Sequence, residues 1–395
     1  MEMVKDSIRP IKNLILNAWF FLISLVPKQK NLVLFGSWFG QKYADNTKFI
    51  YEYMLKNCPD YEIYWMTKNK KIYFEMKEKG LPVYMAKSLK GMLVQVRTKY
   101  FFATLGYEDF NQFLWGGSYL INCWHGIPLK KIGFDTLIKD SSEYKIALKN
   151  KEIYSKYTKQ VIISTSPFVT ECYKSSFLIQ HDVVELGQAR NDMFYNALYR
   201  KNLNNNIKKM INNSRVVLYM PTHRMDGKTN MDMNIILDLV KIQNICIEND
   251  AVFLIKKHFY HTNENDHIEA YDRIFDITKE NVDSQMLLYQ ADILVTDYSS
   301  CAFDYLLLDR SILYYCYDIN DYLENDRDMY MKYLDAFAGP TTETKEELNL
   351  LLENSLKRQI DIYSERRHEI RDWLYNKSAQ KEVSSSIYEY MKNLK

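Results

Sequence analysis

An α/β chain built from two parallel-sheet domains is predicted by three observations. Short apolar, β-rich runs alternate with helical stretches along most of the sequence, which is the pattern of repeated βα units. The runs form two sets, separated by the polar, Asn-rich interval 201–213. A chain of 395 residues also exceeds one ordinary core and suits two domains of similar size.

The elements follow in order. Residues 14–26 are apolar and flanked by Arg9, Lys12, Lys28 and Lys30, a stretch too short to cross a bilayer comfortably. Pro27-Lys28-Gln29-Lys30 follows where a signal peptide would need a small-residue cleavage site. Residues 1–30 are therefore expected to form an interfacial, membrane-associating helix; a helix packed on the protein's own surface is the competing arrangement. Strands are predicted at 31–36, 61–67, 82–85, 100–104, 119–123, 161–165 and 183–187 in a first domain, 31–200. After a linker at 201–214, strands at 215–220, 251–256, 273–277, 292–296 and 311–315 define a second domain, 215–345. Leu348, Leu351 and Leu352, then Ile370, Trp373 and Leu374, recur at helical spacing and predict C-terminal helices over 346–395 that pack on the domains.

Composition excludes some functions. Lys+Arg 52 against Asp+Glu 50 leaves a net charge of +2, which supplies no broad phosphate-neutralising field and argues against nucleic acid as a partner. Six cysteines, at 58, 123, 172, 246, 301 and 316, show no CxxC pair. They read as reduced core thiols, with no metal site and no resident cofactor. Asp326-Arg327-Asp328 is the one DxD-like run and reads as loop charge.

Chemistry-bearing residues cluster just after predicted strands, where open α/β sheets place their ligands. In Trp124-His125-Gly126-Ile127-Pro128-Leu129-Lys130-Lys131, an imidazole able to move a proton precedes a Gly/Pro turn and two cations. A lone histidine is more often a satisfied, half-buried residue; the cationic turn is what suits His125 to an anionic substrate. Lys256-Lys257-His258 and Pro221-Thr222-His223-Arg224 each follow a strand of the second domain. Thr296-Asp297-Tyr298-Ser299-Ser300 ends another strand and opens a helix, whose free N–H groups and two hydroxyls can cradle a diphosphate. One serine acting only as a helix cap is the plainer alternative. Asp304, one turn on, is placed to reach a ribose hydroxyl or to sit as a solvated carboxylate. Gly187-Gln188-Ala189-Arg190-Asn191-Asp192 closes the first domain with a guanidinium suited to bidentate phosphate pairing, or with residues that pin the domain linker.

Taken together, Phe35-Gly36-Ser37 with Tyr43-Ala44-Asp45-Asn46, Trp124-His125-Gly126, Arg190-Asn191-Asp192, Pro221-Thr222-His223-Arg224, Lys257-His258, and Thr296-Asp297-Tyr298-Ser299-Ser300 with Asp304-Tyr305 resemble the CDP-glycerol glycerophosphotransferase family of teichoic-acid synthesis. The resemblance runs from about Leu32 to Tyr322. It implies two Rossmann-like domains facing across a cleft in the glycosyltransferase-B manner, with CDP-glycerol as donor and a polyprenyl-diphosphate-linked acceptor. It further implies a peripheral location on the cytoplasmic face of the cell membrane.

His125 and His258 are the catalytic residues the resemblance implies, with His125 as general base. Gly126, Arg190, Asn191, Asp192, Thr222, Arg224, Lys257, Thr296, Asp297, Ser299, Ser300 and Asp304 are the implied substrate contacts. The chain departs from the family pattern at Ile127, at Gln188-Ala189 and at His223, changes that bear on the acceptor and the alditol. Three other readings share these residues. They are transfer from CDP-ribitol or another alditol donor, a UDP-sugar glycosyltransferase or epimerase of the same fold, and a membrane-peripheral nucleotide-binding protein without turnover.

Overall fold

The structure, a computed structural model, describes all residues except 1, 180, 198, 200–204, 223–231, 258–267, 269–270, 321, 323–327, 358–360 and 395, together with the side chains of 2–12 and 333. His223, Arg224 and His258 thus lie outside the described residues.

The chain divides into two compact units. The first comprises 1–125, 132–192 and 376–395, and its sheet holds seven strands: β1 Gln29–Phe35, β2 Glu62–Thr67, β3 Val83–Met85, β4 Thr98–Ala103, β5 Tyr119–Asn122, β6 Lys159–Ser164 and β7 Val183–Glu185. The second comprises 126–131 and 193–375, with β8 Arg215–Met220, β9 Ala251–Ile255, β10 Ile274–Asp276, β11 Ile293–Thr296, β12 Ser311–Tyr315 and β13 Thr341–Thr342. Strand orders are 3-2-1-4-5-6-7 and 10-9-8-11-12-13, and every pairing is parallel. In each sheet the order reverses beside its first strand, between β1 and β4 and between β8 and β11. Those two switch points are where doubly wound folds open a crevice at the strand carboxyl ends.

Alternate strand residues build the cores. In the second unit Val217, Tyr219, Phe253, Ile255, Ile293, Val295, Leu313 and Tyr315 meet Ile242, Ile245 and Cys246 of the Leu239–Glu248 helix and Leu348, Leu352 and Leu356 of the Lys345–Leu356 helix. In the first, Leu34, Met66, Phe101 and Leu120 pack with Trp115 and Phe110.

Helix α1, Glu2–Ser24, contributes Phe20, fully buried and edge-on to Trp115 and Tyr154 at 5.1 and 5.3 Å. Its Leu14, Ile15, Trp19, Phe21 and Leu22, with Leu25 just beyond, stay exposed. One stripe of α1 is therefore core and another faces out. Among the described residues no helix is long and apolar enough to cross a membrane.

The chain path differs from the sequence reading at one point. Residues 126–131 associate with the second unit: Lys131 N donates to Asp328 O, Tyr330 N donates to Leu129 O, and Lys130 lies over the Tyr322 ring at 4.5 Å. The C-terminal helices divide between the units, and residues 376–395 return to the first. There Asp192 accepts from Val383 N, Ser384 N and Ser384 Oγ, holding the start of the Ser384–Lys392 helix.

Candidate functional site

In the first unit the turn after β5 is pinned from beneath. Asn46, buried at the start of the Asp45–Asn57 helix, donates through Nδ2 to the carbonyls of Cys123 and Trp124 at 3.1 and 2.9 Å, and its Oδ1 accepts from Arg190 N. Arg190 Nη1 donates to His125 O at 2.7 Å and reaches Asp45 Oδ1 at 3.4 Å. Arg190 thus holds the backbone of the histidine turn. With its side chain 11% exposed and Asp45 beside it, its guanidinium is directed inward.

The His125 imidazole is half-buried between two indoles, Trp124 at 4.2 Å and Trp38 at 5.0 Å between ring centroids. Its Nδ1 lies 3.2 Å from the Thr104 carbonyl, an acceptor that requires Nδ1 to carry the proton. Nε2 is left as the lone-pair nitrogen, with no hydrogen-bond partner among the described residues. Burial lowers the imidazole pKa below its ordinary range; the Asp45 carboxylate and the Thr104 carbonyl oppose that shift and the Arg190 charge adds to it. The neutral, base-competent form therefore prevails at pH 7.

Sequence reading passed over Trp38, Thr104 and Asp109. All three sit in the loops after β1 and β4, at the switch point, and that position is the signal that points to them.

In the second unit the loops after β8 and β11 are joined by a buried carboxylate. Asp297, 1% exposed, accepts from Thr222 N at 2.8 Å and from Thr222 Oγ1 at 2.6 Å. Thr296 Oγ1 donates to Met220 O, tying the strand ends one step lower. These bonds fix the backbone from which Ser299 and Ser300 project, both partly exposed. Ser299 Oγ accepts weakly from Cys301 N at 3.4 Å, and Ser300 makes no side-chain cap bond. The helix they open is short, Cys301–Tyr305, continuing as a 3-10 turn over Leu306–Leu308.

Lys257 is buried, its Nζ 3.1 Å from Asp276 Oδ2. Gly126, at φ 145°, starts the 126–131 strap. Asn191 is buried in the 3-10 turn Ala189–Asn191.

Two expected substrate contacts have other partners. Asp304 is 2% exposed and accepts from Tyr375 OH at 2.8 Å and Gln285 Nε2 at 3.1 Å, so it is a buried carboxylate rather than a solvated one. Asp192 is fully buried on Val383 and Ser384. Burial, working against those donors, pushes its carboxyl up to about 7. Both aspartates hold elements together.

Comparison with known proteins joins these features to a family. A teichoic acid glycerol-phosphate transferase of Staphylococcus aureus is 29% identical over 95% of this chain and 95% of its own. A teichoic acid poly(glycerol phosphate) polymerase of Bacillus subtilis is 28% identical over 83% of this chain, which spans only 44% of that longer protein. Among solved structures, the wall teichoic acid polymerase TagF superposes with a TM-score of 0.74 at 24% identity, covering 99% of this chain and 98% of that one. The S. aureus MnaA–UDP structure superposes at 0.53 and 11% identity, over 92% of this chain and 96% of that one. The fold is thus TagF-like, of glycosyltransferase-B-like type. Residues 18–393 match the family described as CDP-glycerol:poly(glycerophosphate) glycerophosphotransferase, and the chain belongs to that family.

Proposed function

We propose that the protein transfers glycerol phosphate from CDP-glycerol to a hydroxyl of a polyprenyl-diphosphate-linked saccharide or of a growing glycerol-phosphate chain, releasing CMP. The observation that carries this reading is the 3.2 Å contact between His125 Nδ1 and the Thr104 carbonyl. An Nδ1 that donates to this carbonyl carries the proton and leaves Nε2 to act as the base.

In the reaction Nε2 removes the acceptor hydroxyl proton as that oxygen attacks the phosphorus bearing glycerol. A new P–O bond forms, the phosphoanhydride P–O bond breaks, and the electron pair leaves on the CMP phosphate. Phosphoryl transfer asks mainly for positioning and charge stabilisation. In this reading Ser299, Ser300 and the Thr222 loop donate to the diphosphate and Arg224 and His258 supply charge, while Lys257 is held on Asp276. Arg190 acts by holding the His125 turn. The cytoplasmic membrane face is the proposed location, supported by the outward apolar residues of α1.

The test is CMP release across CDP-glycerol, CDP-ribitol and UDP-sugars, against a lipid-linked disaccharide and a glycerol-phosphate oligomer, with product length read by mass spectrometry. CMP release with CDP-glycerol is expected, and UDP release or sugar isomerisation would overturn the reading. CDP-glycerol that raises the melting temperature without any CMP release would identify a binding protein. His125→Ala is expected to lose on the order of 10²–10⁴ in kcat with the fold intact; near-normal turnover would remove His125 as the base.

A further inference from the structure

Beneath the histidine lies a carboxylate without a role in the transfer itself. Asp109 is fully buried, in the loop that follows β4. One oxygen accepts from Thr104 N at 2.7 Å, Leu105 N at 3.0 Å and Thr104 Oγ1 at 3.2 Å. The other accepts from Phe39 N at 2.7 Å. Four donors on one carboxylate draw together two loops, the turn after β1 and the turn after β4. Thr104 Oγ1 completes the link by accepting from Trp38 N at 3.0 Å.

Both loops face His125. Thr104 presents the carbonyl bonded to Nδ1, and Trp38 presents one of the two indole walls. The turn that carries Trp38 is strained, with Trp38 at φ 49° and Phe39 at φ 60°, a conformation that persists only where surrounding bonds hold it. The Asp109 bond to Phe39 N sits on that strained step.

We propose that Asp109 is a positioning residue that fixes the tautomer and orientation of His125, holding the proton on Nδ1 and the lone pair on Nε2. It acts through Thr104 and Trp38 and does not touch substrate. This rests on the reading of His125 as the base.

Asparagine at 109 keeps the shape but exchanges one accepting oxygen for an NH2 group. That group then meets backbone N–H donors, and at least one loop is released.

The experiment compares wild type with Asp109→Asn by kinetics and by imidazole ¹⁵N NMR on histidine-labelled protein, with the His125 signals assigned by their loss in His125→Gln. The wild type is expected to show a protonated Nδ1 and a bare Nε2. Asp109→Asn is expected to show a mixture of tautomers, a kcat about 10–100-fold lower and a KM for CDP-glycerol within about twofold. The acidic limb of its pH–rate profile moves down, because the carbonyl that favours the imidazolium is loosened while Asp45 and Arg190, the charged groups acting on the ring, stay in place; Lys68, a cation that feels the Asp109 charge, is unaltered.

If Asp109→Asn does not fold, Thr104→Val carries the test. It keeps the carbonyl and removes the hydroxyl that joins Asp109 to Trp38, so a smaller kcat loss in the same direction is expected. An unchanged Nδ1–H tautomer with unchanged kcat in the variant examined overturns the proposal. A shifted tautomer with unimpaired turnover upholds the positioning and overturns the base assignment instead.

Discussion

Around the histidine, backbone strain is concentrated in a few side chains that are not glycine. Trp38, Phe39, Asp45 and Trp124 all have positive φ, between 49° and 68°; each departure costs roughly 1–3 kcal/mol and survives only where neighbours over-determine it. Asn46, Arg190 and Asp109 supply those neighbours. The titration of His125 follows from the same setting. Because burial depresses its folded pKa, activity is expected to persist on acidification until the pH falls below about 6.5, the unperturbed value. The stability this group contributes has the matching sign: it is full above pH 6.5 and lost as the pH falls, since the unfolded chain takes up the proton first. A pH–rate profile of kcat/KM and denaturant titrations at several pH values check both; an acidic limb above 6.5 would contradict the depressed pKa.

At the scale of elements, small residues and buried carboxylates decide which segments meet. Gly91 lies in the Leu89–Arg97 helix, where an added Cβ would overlap the Met85 carbonyl oxygen. Gly91→Ala is expected to cost about 1–3 kcal/mol by overpacking, measured as a lower denaturation midpoint without loss of donor affinity. Asp192→Ala orphans the buried N–H groups of Val383 and Ser384, each worth about 1–3 kcal/mol. Limited proteolysis is expected to cut that variant first within 376–395. Elements of this kind were unevenly legible in the sequence. Strands such as β8 and β12 stand where their apolar runs place them, because both faces are buried and the run is continuous. The two-residue β13 is too short to leave a pattern. Asp192 and Asp304 are polar letters beside a motif, and nothing local says that Ser384 or Tyr375, some 192 and 71 positions on, will cover them. Asp109 is hidden for the same reason: its four donors come from residues spread over two loops.

For the whole molecule, α1 ties folding to surface chemistry. Phe20→Ala is expected to destabilise by about 3–5 kcal/mol, the usual cost of emptying a buried aromatic site, because its ring lies between Trp115 and Tyr154. Replacing exposed Leu14, Ile15 and Leu22 with serine is expected to leave the melting temperature unchanged and to lower partitioning onto anionic vesicles at least about tenfold, by the loss of buried apolar area. Unchanged partitioning would remove α1 from the membrane-facing surface.

The route of the chain between its two units has a consequence for how the protein is made. Neither unit is a continuous stretch of sequence. A ribosome that has delivered residues 1–192 has delivered all seven strands of the first sheet, but Asp192 still waits for Val383 and Ser384. The whole second unit must emerge in between. Folding of the first unit therefore finishes last although its synthesis starts first, and a chain stopped at 375 would leave that early sheet with an ionisable group and a helix-binding face uncovered, a form suited to chaperone capture rather than catalysis.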